Sequence, residues 1–333
     1  MTKHILNKRI EKVQKLQKGV SMLDINNLSV SYGKTRVVRN LSLKVNDGEI
    51  VCIVGESGCG KSTALKSVLM LDKNASVTGG SIMFNGSDIT KLNSTEIRQI
   101  RGLEIAMIFQ NAFLSMDPTK TIGHVFYETV KAHNKKAEKN DCLKKAEEIM
   151  KKLRLWETER IFTSYPFELS GGMCQRTAIA AAMMNTPKLI LADEPTSALD
   201  VTAQAQVIRL LKQVKEDYNT SMLIVTHNMG VVANLADKAA VMYGGSIMEI
   251  GSTKDIINNP AHPYTKALIK AVPEMNGKIP EAIEGLPPEF NDDISGCPFA
   301  LRCSMAKDIC FKKFPEKHSL SESHTVYCNC CCL

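Results

Sequence analysis

The stretch GEIVCIVGESGCGKS, residues 48–62, decides how the rest of the chain is read. Its first part, Ile50-Val51-Cys52-Ile53-Val54, is a continuous apolar run rich in β-branched residues, which predicts a buried strand. The run ends on Gly55-Glu56-Ser57-Gly58-Cys59-Gly60-Lys61-Ser62, a match to G-x-x-x-x-G-K-[ST], and a helix is predicted from Lys61 to Leu71. Glycines at these places let the backbone curl until its N–H groups face an anion. Lys61 is expected to span the β- and γ-phosphates of a nucleotide, Ser62 to ligate Mg²⁺, and Thr63 to reach the α-phosphate from the helix start. A glycine-rich turn matching by chance is the competing reading, and a second element far along the chain argues against it.

That element is Leu189-Ile190-Leu191-Ala192-Asp193-Glu194-Pro195. Four apolar residues predict another buried strand, with two carboxylates emerging where it ends. Neither acid belongs in an apolar interior without a partner. Asp193 is placed to meet Mg²⁺ through water, and Glu194 to polarise an attacking water as general base. Two more polar residues follow apolar runs: His227 after Ile224-Val225-Thr226, and Gln110 after Ile105-Ala106-Met107-Ile108-Phe109. Beside a phosphate cradle, His227 can sense a γ-phosphate, and Gln110 can contact Mg²⁺ or water. Alone, neither would carry functional weight.

The 333 residues suffice for one large α/β domain with an appendage, and 44% hydrophobic with 23% charged residues is the balance of a globular protein. No run approaches the roughly 20 apolar residues that cross a bilayer, and the first residues lack the apolar core of a secretory signal. The chain is therefore expected in the cytoplasm, free to dock on a membrane protein. A net charge of +7 is weak evidence for any polyanionic partner, and no nucleic-acid partner is expected.

Three regions are expected. Residues 1–21 form a basic extension with Leu6, Ile10, Val13, Leu16 and Val20 at helical spacing. Residues 22–255 form the nucleotide-binding α/β domain, with a helical insertion at about 121–180. Residues 256–333 form a small, proline-punctuated, cysteine-rich domain. A hairpin is predicted in AAVMYGGSIMEIG with its turn at Gly244 and Gly245.

The segment Leu169-Ser170-Gly171-Gly172-Met173-Cys174-Gln175-Arg176 precedes the acidic strand end and is close to LSGGQ. With the phosphate cradle and the LADEP segment, it resembles the signature of ATP-binding cassette transporter subunits. The fold implied is an α/β P-loop NTPase cassette with a helical subdomain. The resemblance implies that Ser170, Gly171 and Gly172 complete the ATP site of an opposing subunit, so that two cassettes close head-to-tail around two ATP molecules. It further implies that Tyr32 stacks on adenine, that Gln110 is the Q-loop glutamine, that Ser197 to Asp200 cross the dimer interface, and that His227 is the switch histidine.

The chain from Leu23 to Cys328 resembles, more narrowly, the subgroup that imports oligopeptides, dipeptides and nickel. ADEPTSALDVTAQAQVIRLL, NPAHPYTKALIKAVP, ISGCPFALRCSMAKDIC and HTVYC carry this likeness. It implies ATP-driven peptide import, with nickel or a metal–ligand complex as the alternative cargo and a non-transport ATPase acting on nucleic acid or the ribosome as the more distant reading. The partners implied are a second, nonidentical ATPase subunit, two membrane permeases, and an extracytoplasmic binding protein reached through them. The location implied is the cytoplasmic face of the cell membrane. One departure stands out: Asn111-Ala112 occupies the place where the subgroup has an acidic residue and proline.

Of eleven cysteines, seven crowd the final segment. In a reducing compartment that favours metal binding over a disulfide framework. Cys297, Cys303, Cys310 and Cys328 are separated by five, six and seventeen residues, a spacing that does not choose between Zn²⁺ and a [4Fe–4S] cluster. The subgroup resemblance implies a [4Fe–4S] cluster on these four. Cys330, Cys331 and Cys332 receive no ligand role.

Overall fold

The computed structural model describes residues 21–197, 199–272, 282–290 and 294–330. The basic extension up to residue 20, Ala198, Cys331 and Cys332 lie outside the described residues.

Strands β1 (Leu23–Tyr32), β2 (Thr35–Val45), β4 (Ala75–Phe84) and β5 (Ser87–Asp88) form an antiparallel sheet ordered β2-β1-β4-β5. The main sheet joins β3 (Ile50–Val54), β6 (Ile105–Ile108), β7 (Leu189–Asp193), β8 (Ser221–Thr226), β9 (Lys238–Tyr243), β10 (Ser246–Ser252), β11 (Lys317–Ser319) and β12 (Thr325–Tyr327). Its order is β11-β12-β10-β9-β3-β8-β7-β6, and the run from β9 to β6 is parallel.

Every residue of β3, β7 and β8 is buried, as expected of parallel strands covered on both faces. Alternation along β3 sends Val51 and Ile53 into one core and Ile50, Cys52 and Val54 into another. The first core is closed by the antiparallel sheet and the helix Lys61–Val68. The second is closed by the helices Ile122–Lys131, Lys139–Lys152, Gly171–Met183 and Val201–Tyr218. Parallel order then places four loops side by side at the carboxyl ends of β3, β8, β7 and β6, where open α/β sheets bind ligands.

The helix after the cradle stops at Val68, short of the expected Leu71. Its last turn tightens, with the N–H groups of Leu69 and Met70 reaching back three residues, and Met70 takes a left-handed φ of 48°. The Arg101 guanidinium fixes this end by donating to the carbonyls of Leu69 and Met70 at 2.9 and 2.7 Å. The hairpin at Gly244 and Gly245 forms as expected, both glycines having positive φ.

The cysteine-rich segment is continuous with the main body. Strand β12 pairs with β10, matching Glu249 to Val326 and Ile250 to Thr325, and Phe299 is buried in the helix-side core. Buried Glu249 holds the junction: its carboxylate accepts from the N–H groups of Ala261 and His262 and lies 2.7 Å from His324 Nε2.

Candidate functional site: the nucleotide pocket at the strand ends

Gly55 leaves β3 where an added Cβ would sit 2.1 Å from the carbonyl oxygen of Met242. No other residue fits. Gly60, at φ 100°, approaches the Val37 carbonyl oxygen and starts the helix at Lys61. Between these two glycines the chain curls as the motif predicts. Lys61 is buried under the loop, and its ammonium donates to the carbonyls of Gly55 and Glu56 at 2.9 and 2.7 Å. The Cys59 thiol points inward and lies 3.8 Å from the same ammonium; burial pushes its pKa up.

Ser62 Oγ donates to Asp193 Oδ1 at 2.7 Å, which joins the first helical turn to the end of β7. Lys66 lies 3.5 Å from the other carboxylate oxygen. The sequence separated Ser62 and Asp193 by 131 positions, and the parallel sheet brings them into contact.

Glu194 turns out of β7 with φ 46°, a conformation that costs a non-glycine residue of order 1 kcal/mol and clusters at functional sites. Its backbone is held by donation from its N–H to Val225 of β8, at 2.8 Å. Its carboxylate is bracketed. Gln110 Nε2 donates to Oε2 at 3.2 Å from one side, and His227 Nδ1 lies 3.0 Å from Oε1 on the other. A cleft of about 650 Å³ is lined by Ser57, Gln110, Gly171, Glu194 and His227 among others.

Tyr32 borders a separate pocket of about 260 Å³ with Thr63, Lys66 and Met70. Its hydroxyl donates to Asp72 Oδ2 at 2.8 Å, fixing the ring beside the first turn of the Lys61 helix. Ser57 and Gly58 form the outer, exposed rim of the phosphate loop.

Ser170 caps the helix Gly171–Met183, its Oγ accepting from the Met173 N–H at 3.4 Å. Ser170 and Gly171 are exposed, so this helix start opens to solvent. Asp200 caps the helix Val201–Tyr218 by accepting from the Ala203 N–H at 2.8 Å. Asn111, the departure from the subgroup pattern, caps the short helix Ala112–Ser115.

Among the described residues, no three His, Cys, Asp or Glu side chains are arranged to hold a metal ion, so the expected four-cysteine site is not formed in this structure. The thiols do share a neighbourhood: Cys303, Cys310 and Cys328 all bear electrostatically on Cys297, whose pKa burial pushes up to about 12. Cys330, given no role from sequence, is buried with its sulfur 3.5 Å from that of Cys310, and its N–H donates to Cys328 Sγ.

Sequence reasoning missed the supports behind the phosphate loop. The Glu56 N–H donates to Tyr264 Oη at 2.9 Å, and the Glu56 carboxylate meets Arg302. Both partners lie in stretches that carry the subgroup likeness, yet nothing in those stretches ties Tyr264 or Arg302 to the phosphate loop.

A phosphate loop, an adjacent acidic strand end and a capped signature helix on one α/β sheet define an ATPase of the cassette type. Residues 38–197 match the ABC transporter family, and residues 248–310 match the oligopeptide/dipeptide transporter C-terminal region. The dipeptide transport ATP-binding protein DppD of Bacillus subtilis is 41% identical over 315 residues, covering 92% of this chain and 94% of that one. The oligopeptide transport ATP-binding protein AmiE of Streptococcus pneumoniae is 42% identical over 291 residues, covering 86% and 82%. A dimeric bacterial ABC transporter cassette superposes with a TM-score of 0.63 at 30% identity, over 70% of this chain and 99% of that one. The chain belongs to the ATP-binding subunits of ABC transporters, in the group that carries the oligopeptide/dipeptide transporter C-terminal region.

Proposed function

We propose that this subunit hydrolyses ATP to drive peptide import, with Glu194 as the general base. The bracketing of its carboxylate by Gln110 and His227 carries the catalytic part of this reading. Tyr32 packs against adenine, the loop from Gly55 to Thr63 cradles the phosphates, and Lys61 exchanges its carbonyl partners for β- and γ-phosphate oxygens. Glu194 takes a proton from the attacking water, Gln110 orients that water, and His227 donates to the γ-phosphate. Ser62 and Asp193 suit Mg²⁺ because they bring hard oxygen donors to one point beside the loop, with Gln110 as a further oxygen donor. The ion, when bound, neutralises charge on the β- and γ-phosphate oxygens.

Ser170, Gly171 and Gly172 serve the opposing cassette's ATP from an exposed helix start, where backbone N–H groups favour an anion. The opposing cassette is a second, nonidentical subunit. Closure of the pair moves two permeases that receive cargo from an extracytoplasmic binding protein. No helix among the described residues is long and apolar enough to cross a membrane; the likeness to transport ATP-binding proteins supports a peripheral place on the cytoplasmic face of the cell membrane. The relatives named for dipeptide and oligopeptide transport support peptide cargo over nickel.

We further infer a [4Fe–4S] cluster on Cys297, Cys303, Cys310 and Cys328. The support is the chemistry of the donor set: four thiols, those of Cys310 and Cys328 buried and those of Cys297 and Cys303 half-buried, whose charges feel one another in a segment with little regular structure of its own. A bound cluster would supply cross-links that order this segment.

The test is uptake by the transporter reconstituted with its own permeases and binding protein. ATP-dependent accumulation of labelled di- and oligopeptides, but not of nickel, is expected. Nickel uptake without peptide uptake would reverse the cargo assignment.

A further inference from the structure

Arg302 sits in the 3-10 turn Ala300–Arg302, 246 residues from Glu56, yet its guanidinium forks onto that carboxylate. Nη1 donates to Glu56 Oε2 at 2.7 Å and Nη2 to Oε1 at 3.1 Å. The remaining donors are also used. Nη1 donates to Tyr243 Oη at 2.9 Å, Nε to the Glu284 carbonyl at 2.8 Å and Nη2 to the Ile283 carbonyl at 2.9 Å. A guanidinium has five N–H groups, and here each has an acceptor. The Arg302 side chain is 5% exposed and that of Glu56 26%, so the pair is shielded from the screening that weakens surface ion pairs.

The second residue of the phosphate loop is thus held on two sides by the C-terminal region. Tyr264 receives its N–H, and Arg302 receives its carboxylate. Behind them, Tyr243, Tyr264 and Phe299 pack ring on ring, with centroids 4.6 to 5.2 Å apart. Tyr243 follows Met242, whose carbonyl meets the Gly55 backbone so closely that no side chain fits there. The loop is therefore braced from behind by one connected block. The Glu56 carbonyl is one of the two that hold the Lys61 ammonium, so a shift of Glu56 displaces the lysine that meets the phosphates.

We propose that Arg302 is a positioning residue of the nucleotide site: through Glu56 it sets the phosphate loop and Lys61, and it makes the C-terminal region part of the ATP-binding apparatus. A bidentate arginine fixes both distance and plane of its partner, which a single contact does not. The proposal rests on the assignment of ATP to this loop.

The test measures binding of a fluorescent ATP analogue with Mg²⁺ to the purified full chain, for wild type, R302M, E56A and the double variant. R302M and E56A are each expected to weaken binding about tenfold, and the double variant to be no weaker than the worse single one within about twofold, because both remove one interaction. Hydrogen exchange supplies a readout that general destabilisation would not give: amides of residues 56–60 exchange faster in R302M, while those of the helix Val201–Tyr218 do not. E56Q removes the charge from the loop side without disturbing packing around residue 302, and it decides the matter should R302M fail to fold. Wild-type affinity in R302M or E56Q, or losses that multiply to about a hundredfold in the double variant, would overturn the proposal. Absence of analogue binding by the wild type would instead overturn the ATP assignment.

Discussion

The imidazole of His227 lies 3.0 Å from the carboxylate of Glu194, across the gap between the ends of two neighbouring parallel strands. Gln110 reaches the other oxygen of the same carboxylate from the next strand along. Two residues from separate parts of the sequence thereby act on the carboxylate of a third, and sheet order accounts for their meeting.

Replacing Glu194 with Gln keeps the shape of this arrangement and removes the base. ATP turnover in the assembled transporter is expected to fall at least about a hundredfold, the usual scale for losing general base catalysis. Nucleotide affinity should stay within about twofold of wild type, since the phosphate cradle is untouched. Turnover rates and equilibrium binding on the same preparation check both; turnover near wild type would remove Glu194 from the role.

Ser170 has two jobs to separate, capping its helix and facing a second subunit. Ser170→Ala loses the cap, at a cost of about 1 kcal/mol, whereas Ser170→Asn retains one. Both variants are expected to bind ATP normally as isolated subunits and to lose turnover in the assembled transporter. Thermal unfolding of the free subunit should distinguish them, with only the alanine variant melting early.

His262 is 1% exposed, accepts the Tyr264 N–H at its Nδ1 and caps the helix Pro263–Lys270. Burial, aided by Lys266, pulls its pKa down to about 3. The unfolded chain binds a proton there near pH 6.5 and the folded chain does not, so stability falls as pH drops from about 6.5 towards 3. The slope from this residue approaches about 1.4 kcal/mol per pH unit. His262→Asn keeps a capping side chain and removes the titration. Unfolding curves between pH 7 and pH 5 should therefore be flatter for the variant than for wild type.

Anaerobically purified protein is expected to contain iron and acid-labile sulfide, and Cys328→Ser to lose both. Cys330→Ser should retain them, because Cys330 donates its N–H to the Cys328 sulfur and serves as support. Metal-free wild type with full folding and activity would defeat the cluster assignment. Loss of iron in Cys330→Ser would make that residue a ligand.

The sequence reveals the nucleotide site where one local pattern carries the chemistry. The cradle from Gly55 to Ser62 and the acids at Asp193 and Glu194 follow buried strands whose apolar runs are unmistakable, and their meeting follows from parallel pairing. The support at Glu56 is invisible by the same logic. Arg302 lies 246 positions away in a turn without periodicity, and nothing local distinguishes an arginine that braces a loop from one facing solvent. Helix ends were also blurred: Met70 gave no warning of a left-handed turn, and the Arg101 contacts that fix it come from 31 and 32 positions downstream.

The pairing of β12 with β10 has a consequence for solubility. Strand β10 is seven residues long and almost wholly buried, and without β12 its open backbone groups would invite a neighbouring chain to add on. The partner that ends the sheet instead, β11, has three residues and begins with a lysine, the kind of blunt, charged border that discourages further growth. A chain cut after Asn258 would keep the cassette motifs yet lose this border, and self-association through β10 is its expected fate.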